Sequence, residues 1–230
     1  MQQIYTQQEE LSMIQNAFMQ KVYTWMFGAL TITGAVAYVI STKQGLIEYF
    51  MLNQTAFYLL MFAELGLVMY LSARINKMSS TTAFVLFTIY SVLNGVTFSL
   101  IFQIYTASSI ASTFFVTAGT FAAMSLYGWT TKKDLTSIGS FLYMALIGLI
   151  IASVVNWFLA SSEMYWIMTY AGILIFVGLT AYDTQKIKKM STQFQDNESH
   201  NKGAIMGALT LYLDFINLFL YLLRLLGDRR

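Results

Sequence analysis

Asp183, in the stretch GLTAYDTQKIK (residues 178–188), and Asp214, in ALTLYLDFINLFLYLLRLLG (residues 208–227), are carboxylates where the surrounding residues are almost all apolar. A third, Glu64, lies inside another apolar run. A carboxylate at the middle of a membrane-spanning helix costs roughly 2.5 to 3.5 kcal/mol on insertion scales, so each needs a partner or a task. Two aspartates on consecutive segments can share one proton when they meet, because both cannot ionise cheaply at hydrogen-bonding distance. Protonated, such a pair ties two helices together. Without the proton, two anions repel, and the exposed oxygens suit a hard cation such as calcium.

The elements that would position these groups follow from composition. Of 230 residues, 57% are hydrophobic and only 10% charged, which is more apolar surface than one water-soluble core can hide. Apolar runs near the 20 residues needed to cross a bilayer fall at about 22–40, 57–73, 83–104, 110–127, 138–160, 165–182 and 204–223. The fold class is therefore all-α and integral to a membrane, a seven-helix bundle. Residues 1–21 read as a polar lead-in rather than a signal peptide, 22–226 as one seven-helix domain, and 227–230 as a short tail. There is no proline, so straight helices are expected. There is no cysteine, which excludes disulfides, thiolate metal sites and cysteine nucleophiles.

Lys21, Arg74, Lys77, Lys132, Lys133, Lys186, Lys188, Lys189 and Lys202 all fall on one side if the N-terminus is cytoplasmic, leaving Lys43 opposite. That bias predicts a cytoplasmic N-terminus. Arg224, Arg229 and Arg230 break it: either the seventh segment crosses against the bias, or it is re-entrant. The net charge of +2 gives no reason to expect a nucleic-acid partner. Membrane lipid, protons and cations remain, with membrane-protein partners open.

On the last segment Gly203, Gly207, Thr210, Asp214, Asn217, Tyr221 and Arg224 recur at intervals of three and four, forming one stripe of small and polar residues. Such a helix is expected at the centre, surrounded by the other six. On the sixth, Gly172, Phe176 and Asp183 share a face, so Asp183 can turn toward the seventh helix; alternatively it is a solvated helix end beside Lys186. Asn94, Asn156 and Asn217 read either as path-lining groups or as ordinary interhelical hydrogen bonds. Arg74 reads as a snorkelling anchor, and the lone His200 gives no sign of a metal site.

The stretches GLTAYDTQKIK and ALTLYLDFINLFLYLLRLLG closely resemble the Bax inhibitor-1 family, the transmembrane Bax inhibitor motif proteins. VYTWMFGALTITGAVAY (residues 22–38) and YGWTTKKDLTSIGSFLYMALIGLIIASVVNWF (residues 127–158) match as well, so the resemblance covers nearly the whole chain and is to a bacterial-type member. It implies a pH-sensitive calcium leak across a bacterial inner membrane, with Asp183 and Asp214 as sensor, gate and transient calcium ligands. It also implies an arginine linked to the pair, for which Arg74 is the nearest match, and no cofactor beyond the permeant calcium. Other classes fit less well. Intramembrane aspartyl proteases share a Tyr-Asp pair, but they carry Gly-x-Gly-Asp at the second aspartate and a proline-containing segment, both missing here. A retinal protein needs a lysine within its last helix. A proton-coupled transporter or a scaffold for other membrane proteins remains the alternative, and no enzyme activity is expected.

Overall fold

The structure is a computed structural model that describes residues 7–194 and 196–230; positions 1–6 of the polar lead-in lie outside the described residues. Nine α-helices occur among the described residues: α1 Gln7–Ser41, α2 Gln44–Leu52, α3 Gln54–Arg74, α4 Ser80–Ser99, α5 Ile101–Ile104, α6 Ala107–Thr130, α7 Thr136–Leu159, α8 Ser162–Met190 and α9 Asn197–Leu226. Seven helical stretches are long and apolar enough to cross a membrane, and they coincide with the seven apolar runs.

Three helices outrun their apolar segments. α1 begins at Gln7 rather than near 22, α8 continues to Met190 rather than 182, and α9 starts at Asn197 rather than 204. Hydropathy marks only the part of a helix that lipid covers, whereas backbone hydrogen bonding continues into water wherever the sequence permits. The extension of α8 matters most, because it places Asp183 inside a helix rather than at its end. The connection after the first span also contains α2, which is about 13.5 Å long and too short to cross. α9 is unbroken for 30 residues, about 45 Å, which leaves no re-entrant turn.

Helix starts are set by side chains that satisfy the free N–H groups. Asn53 accepts from Ala56 N at α3, Ser79 from Thr82 N at α4, and Thr106 from Ser109 N at α6. At α9, Asp196 accepts from both the backbone N–H and the hydroxyl of Ser199, each at 2.8 Å. The Ser199 N–H holds the Asp196 carboxyl below the usual carboxylate range. A lowered folded-state value means that this cap contributes at neutral pH and is lost as pH falls below the ordinary aspartate range. Asp196→Ala should therefore lower the thermal midpoint in detergent at pH 7 and do so less at acid pH, as read by a melting series.

The chain forms two compact units, one of residues 1–104, 188–212 and 230, the other of 105–187 and 213–229. In the first, α1 and α4 approach closely at Gly95, where an added Cβ would lie 2.7 Å from Val36 Cβ and 2.8 Å from Thr33 O. The first half of α9 joins them through Tyr212, whose hydroxyl meets Thr33 Oγ1 at 2.8 Å while Phe87 and Tyr90 present ring edges to its ring. Nearer the start of α9, Glu198 accepts from Ser80 N and Ser80 Oγ, Lys21 donates to Asn201, and His200 packs edge-on against Phe18.

In the second unit, Leu149 of α7, Ile175, Phe176 and Leu179 of α8, and Leu218 and Leu222 of α9 form an apolar core. Lipid is as apolar as these side chains, so close packing rather than exclusion from water holds them together. The residues facing outward say the same of the surroundings: Phe62, Phe115, Trp157, Phe158 and Leu174 are each at least 69% exposed, an apolar surface that water would not tolerate. α9 is the most buried span, with 67% of its most apolar window covered, against 6% for α3. In the first unit Leu209, Leu211 and Tyr212 of α9 are buried, and in the second Asp214 and Leu218 are.

Candidate functional site

Asp183 is 1% exposed and Asp214 4% exposed, and both belong to the second unit. Four neighbours of Asp183 on α8 fix its direction. The carbonyl of Ala181 lies so close to α6 that a Cβ on Gly128 would fall 2.1 Å from it. The ring of Tyr182 lies over Gly139 of α7, where a Cβ would come within 2.3 Å of Cδ2. Thr184 Oγ1 meets Ser125 Oγ of α6 at 2.9 Å. Gln185 clamps the α6–α7 connection, its Oε1 accepting from Leu135 N at 3.0 Å and its Nε2 donating to Lys133 O at 2.8 Å. With the Ala181 carbonyl and the side chains of Tyr182, Thr184 and Gln185 engaged by α6, α7 and their link, Asp183 has α9 left to face.

There it meets Asp214: the two carboxyls are in hydrogen-bond contact. Tyr143 of α7 donates its hydroxyl to Asp183, lying 3.1 Å from each carboxylate oxygen. Asp214 Oδ2 is buried with no hydrogen-bond partner. Two carboxyls in contact cannot both be ionised without a steep electrostatic cost, so such an arrangement favours one shared proton. The solvated alternative for Asp183 does not apply. Lys186, exposed three residues further on, lies over the rings of Tyr143 and Tyr182, 5.8 Å from each centroid.

The rest of the shared α8 face also meets α9. Gly172 lies under the ring of Tyr221, with a Cβ there only 2.6 Å from Cζ, and Phe176 stacks on the same ring at 5.9 Å. Arg224, one turn on, sits over Tyr165 and Tyr221 at 4.6 and 5.3 Å. The remaining sequence candidates have local partners. Glu64 accepts from Thr97 of α4, Asn94 Nδ2 donates to Tyr90 O, Asn217 Nδ2 donates to Leu213 O, and Asn156 Oδ1 accepts from Ser161 N in the α7–α8 turn. Arg74 is exposed in the last turn of α3, where a cation complements the helix C-terminus.

Tyr143, Gln185, Gly128 and Gly139 are site residues that the sequence reading did not single out. Their only linear signal was proximity to the AYDTQ stretch and its upstream partner segment; which glycine meets which carbonyl is a matter of helix packing. Gln185→Ala would leave the buried Leu135 N–H without an acceptor, which costs about 1–3 kcal/mol. Lower resistance to thermal unfolding, with Gln185→Glu intermediate because it retains the acceptor, is the expected result.

Among the described residues no group of three or more His, Cys, Asp and Glu could hold a metal ion. The pair supplies two carboxyls and a phenol, fewer oxygens than the six to eight that calcium takes in a tight site. What such a pair can do chemically is bind and release a proton.

Comparison with known proteins adds a second line. The family model described as "Inhibitor of apoptosis-promoting Bax1" matches residues 15–230. Inner membrane protein YbhL of Escherichia coli is 52% identical over 215 residues, covering 93% of this chain and 92% of that one. An uncharacterized protein of Borreliella burgdorferi is 49% identical over 226 residues, 98% and 97% of the two chains. Another, from Deinococcus radiodurans, is 40% identical over 230 residues, 100% and 98%.

Proposed function

We propose a function from one fact: this chain belongs to the Bax inhibitor-1 family of multi-pass integral membrane proteins. The reading is a passive leak for calcium, regulated by protons at Asp183 and Asp214, in a bacterial inner membrane with the N-terminus cytoplasmic. The observation that carries it is the contact between two buried carboxyls on consecutive helices. Nothing in a purely structural role asks for two acids there; an amide pair would tie α8 to α9 without the desolvation cost.

The mechanism follows from the proton count. With one proton shared, the pair makes a charge-assisted hydrogen bond, about twice as strong as a neutral one, and α8 and α9 are held together. Removing that proton leaves two adjacent anions, which drive the helices apart and offer carboxylate oxygens to an incoming cation. Adding a second proton removes the charge assistance and weakens the tie. Flux is therefore lowest where the pair holds one proton and rises as pH moves away from that point, most strongly on the alkaline side. Arg74 is assigned no step in this cycle, and no cofactor enters it.

Calcium entry into liposomes carrying the purified protein, followed with a trapped dye across a pH series, tests the reading. A pH-dependent flux absent from empty liposomes is expected. Absence of flux at every pH would reject the leak and leave a scaffold for other membrane proteins. A proton-sharing carboxyl pair also resembles a proteolytic dyad. The chain lacks the Gly-x-Gly-Asp and the proline-containing segment of intramembrane aspartyl proteases, so the leak is the preferred reading. Cleavage of a membrane-embedded peptide that disappears with Asp183→Asn would reverse that judgement.

A further inference from the structure

Positions 109, 113, 117, 121 and 125 of α6 lie four residues apart and are all buried. Four carry hydroxyls, Ser109, Thr113, Thr117 and Ser125; the fifth is Phe121. Four-residue spacing keeps them on one slanting row, and sixteen residues of helix extend about 24 Å, most of the thickness of a hydrocarbon core.

Hydroxyls in membrane helices usually satisfy themselves on the carbonyl four residues back, as Thr117 does on Thr113 O at 2.8 Å. Thr113 does not. Its Oγ1 is buried without a partner, and the carbonyl it would use, Ser109 O, already accepts from Ser112 Oγ at 3.1 Å. An unsatisfied buried hydroxyl is costly, so Thr113 calls for a ligand that comes and goes, water or a hydrated cation.

Both ends of the row lead somewhere. At one, Ser109 Oγ accepts from Asp228 N at 2.8 Å and Thr106 N donates to Asp228 O at 3.1 Å, so the C-terminal tail closes the row. At the other, Ser125 meets Thr184, the residue after Asp183. Only Phe121 interrupts the polar groups. It is 4% exposed, and its ring stands edge-on to Phe215 with centroids 5.5 Å apart. Phe215 is the residue after Asp214, so the parting of the carboxyl pair moves one half of this ring contact directly.

We propose that the hydroxyl row of α6 is the half of the cation path between the C-terminal tail and the aspartate pair, and that Phe121 with Phe215 forms its hydrophobic gate. The proposal rests on the leak reading for its permeant ion. Hydroxyls replace part of the hydration shell of a small cation without trapping it, and two aromatic rings exclude both water and ions until they separate.

The absence of cysteine makes the path directly testable. Thr113→Cys, Ser125→Cys and Phe115→Cys are each exposed to a permanently cationic methanethiosulfonate, in vesicles oriented with the C-terminal tail toward the reagent, and modification is read by mass. Thr113→Cys should react, while Phe115→Cys, 73% exposed on the outer surface of the helix where lipid covers it, should not. Ser125→Cys should react slowly with Phe121 present and at least ~10-fold faster with Phe121→Ala, the change that lowering a barrier by about 1.4 kcal/mol gives. Phe121→Tyr, which retains the volume and adds a hydroxyl, replaces the alanine variant if that fails to fold. Thr113→Cys as inert as Phe115→Cys, or Ser125→Cys rates unchanged by either substitution at 121, would overturn the proposal. Labelling needs no calcium transport. The full labelling pattern without calcium flux would keep the path and reject calcium as its ion; pH-dependent flux without the pattern would keep the leak and reject this route.

Discussion

Asp214→Asn is expected to flatten the pH dependence of calcium flux while leaving a folded, closed protein. Asparagine has nearly the size of aspartate and donates from Nδ2, so it can hydrogen-bond the Asp183 carboxylate as the shared proton does now. That bond does not titrate at the 214 position, and the second negative charge never forms. Two unit charges 4 Å apart at an effective dielectric of 20 repel by about 4 kcal/mol, on the order of a 10³-fold change in an equilibrium. A penalty on this order is what the parent pair incurs when it gives up the proton, and Asp214→Asn removes it. Asp214→Leu separates the two roles of the residue: it abolishes the response as well but leaves Asp183 buried without its carboxyl partner, and it should melt lower than Asp214→Asn. Flux measured across pH in liposomes decides the point. A response unchanged by Asp214→Asn means that the sensor lies elsewhere.

Gly128→Ala should have the larger effect on the fold itself. Its new Cβ would sit 2.1 Å from Ala181 O, 2.9 Å from Ala181 C and 3.0 Å from Ala181 Cα. These are backbone atoms, so no side-chain rotation relieves the contact, and α6 and α8 must separate. Overpacking of this kind costs about 1–3 kcal/mol, toward the upper end where main chain is involved. The displaced segment of α8 carries Asp183, Thr184 and Gln185, so the pH response of flux should be disturbed together with the melting temperature. Gly119→Ala on the same helix meets nothing within 4 Å and provides the control, with stability unchanged or slightly raised because alanine favours helix. Equal melting of the two variants would show that the α6–α8 approach is looser than described.

What could be read from the sequence divides along a physical line. Seven apolar runs fixed the number of spans, because lipid solvation imposes a length and a composition that any crossing helix must satisfy. Helical periodicity placed Gly172, Phe176 and Asp183 on one face, because 3.6 residues per turn is a property of the helix alone. The paired motifs were specific enough to carry the family. Helix ends were less legible: α8 passes its apolar limit by eight residues, from 182 to Met190, and α2 was not seen. Hydropathy is silent about helix that lies in water.

By itself, then, the sequence determined the class of molecule, the number of its spans and the presence of carboxylates that lipid would not tolerate. Only the tertiary structure decided that Asp183 is buried against Asp214 rather than solvated at a helix end. That choice depends on Gly128 admitting the Ala181 carbonyl, Gly139 admitting the Tyr182 ring and Gln185 holding the link between α6 and α7. Each is a contact between residues far apart in the chain, and periodicity within one helix cannot say which neighbour a face will meet. The same holds for Phe121. In the sequence it is one phenylalanine among 18; in the fold it is the one apolar side chain in a buried row of hydroxyls, against the residue that follows Asp214.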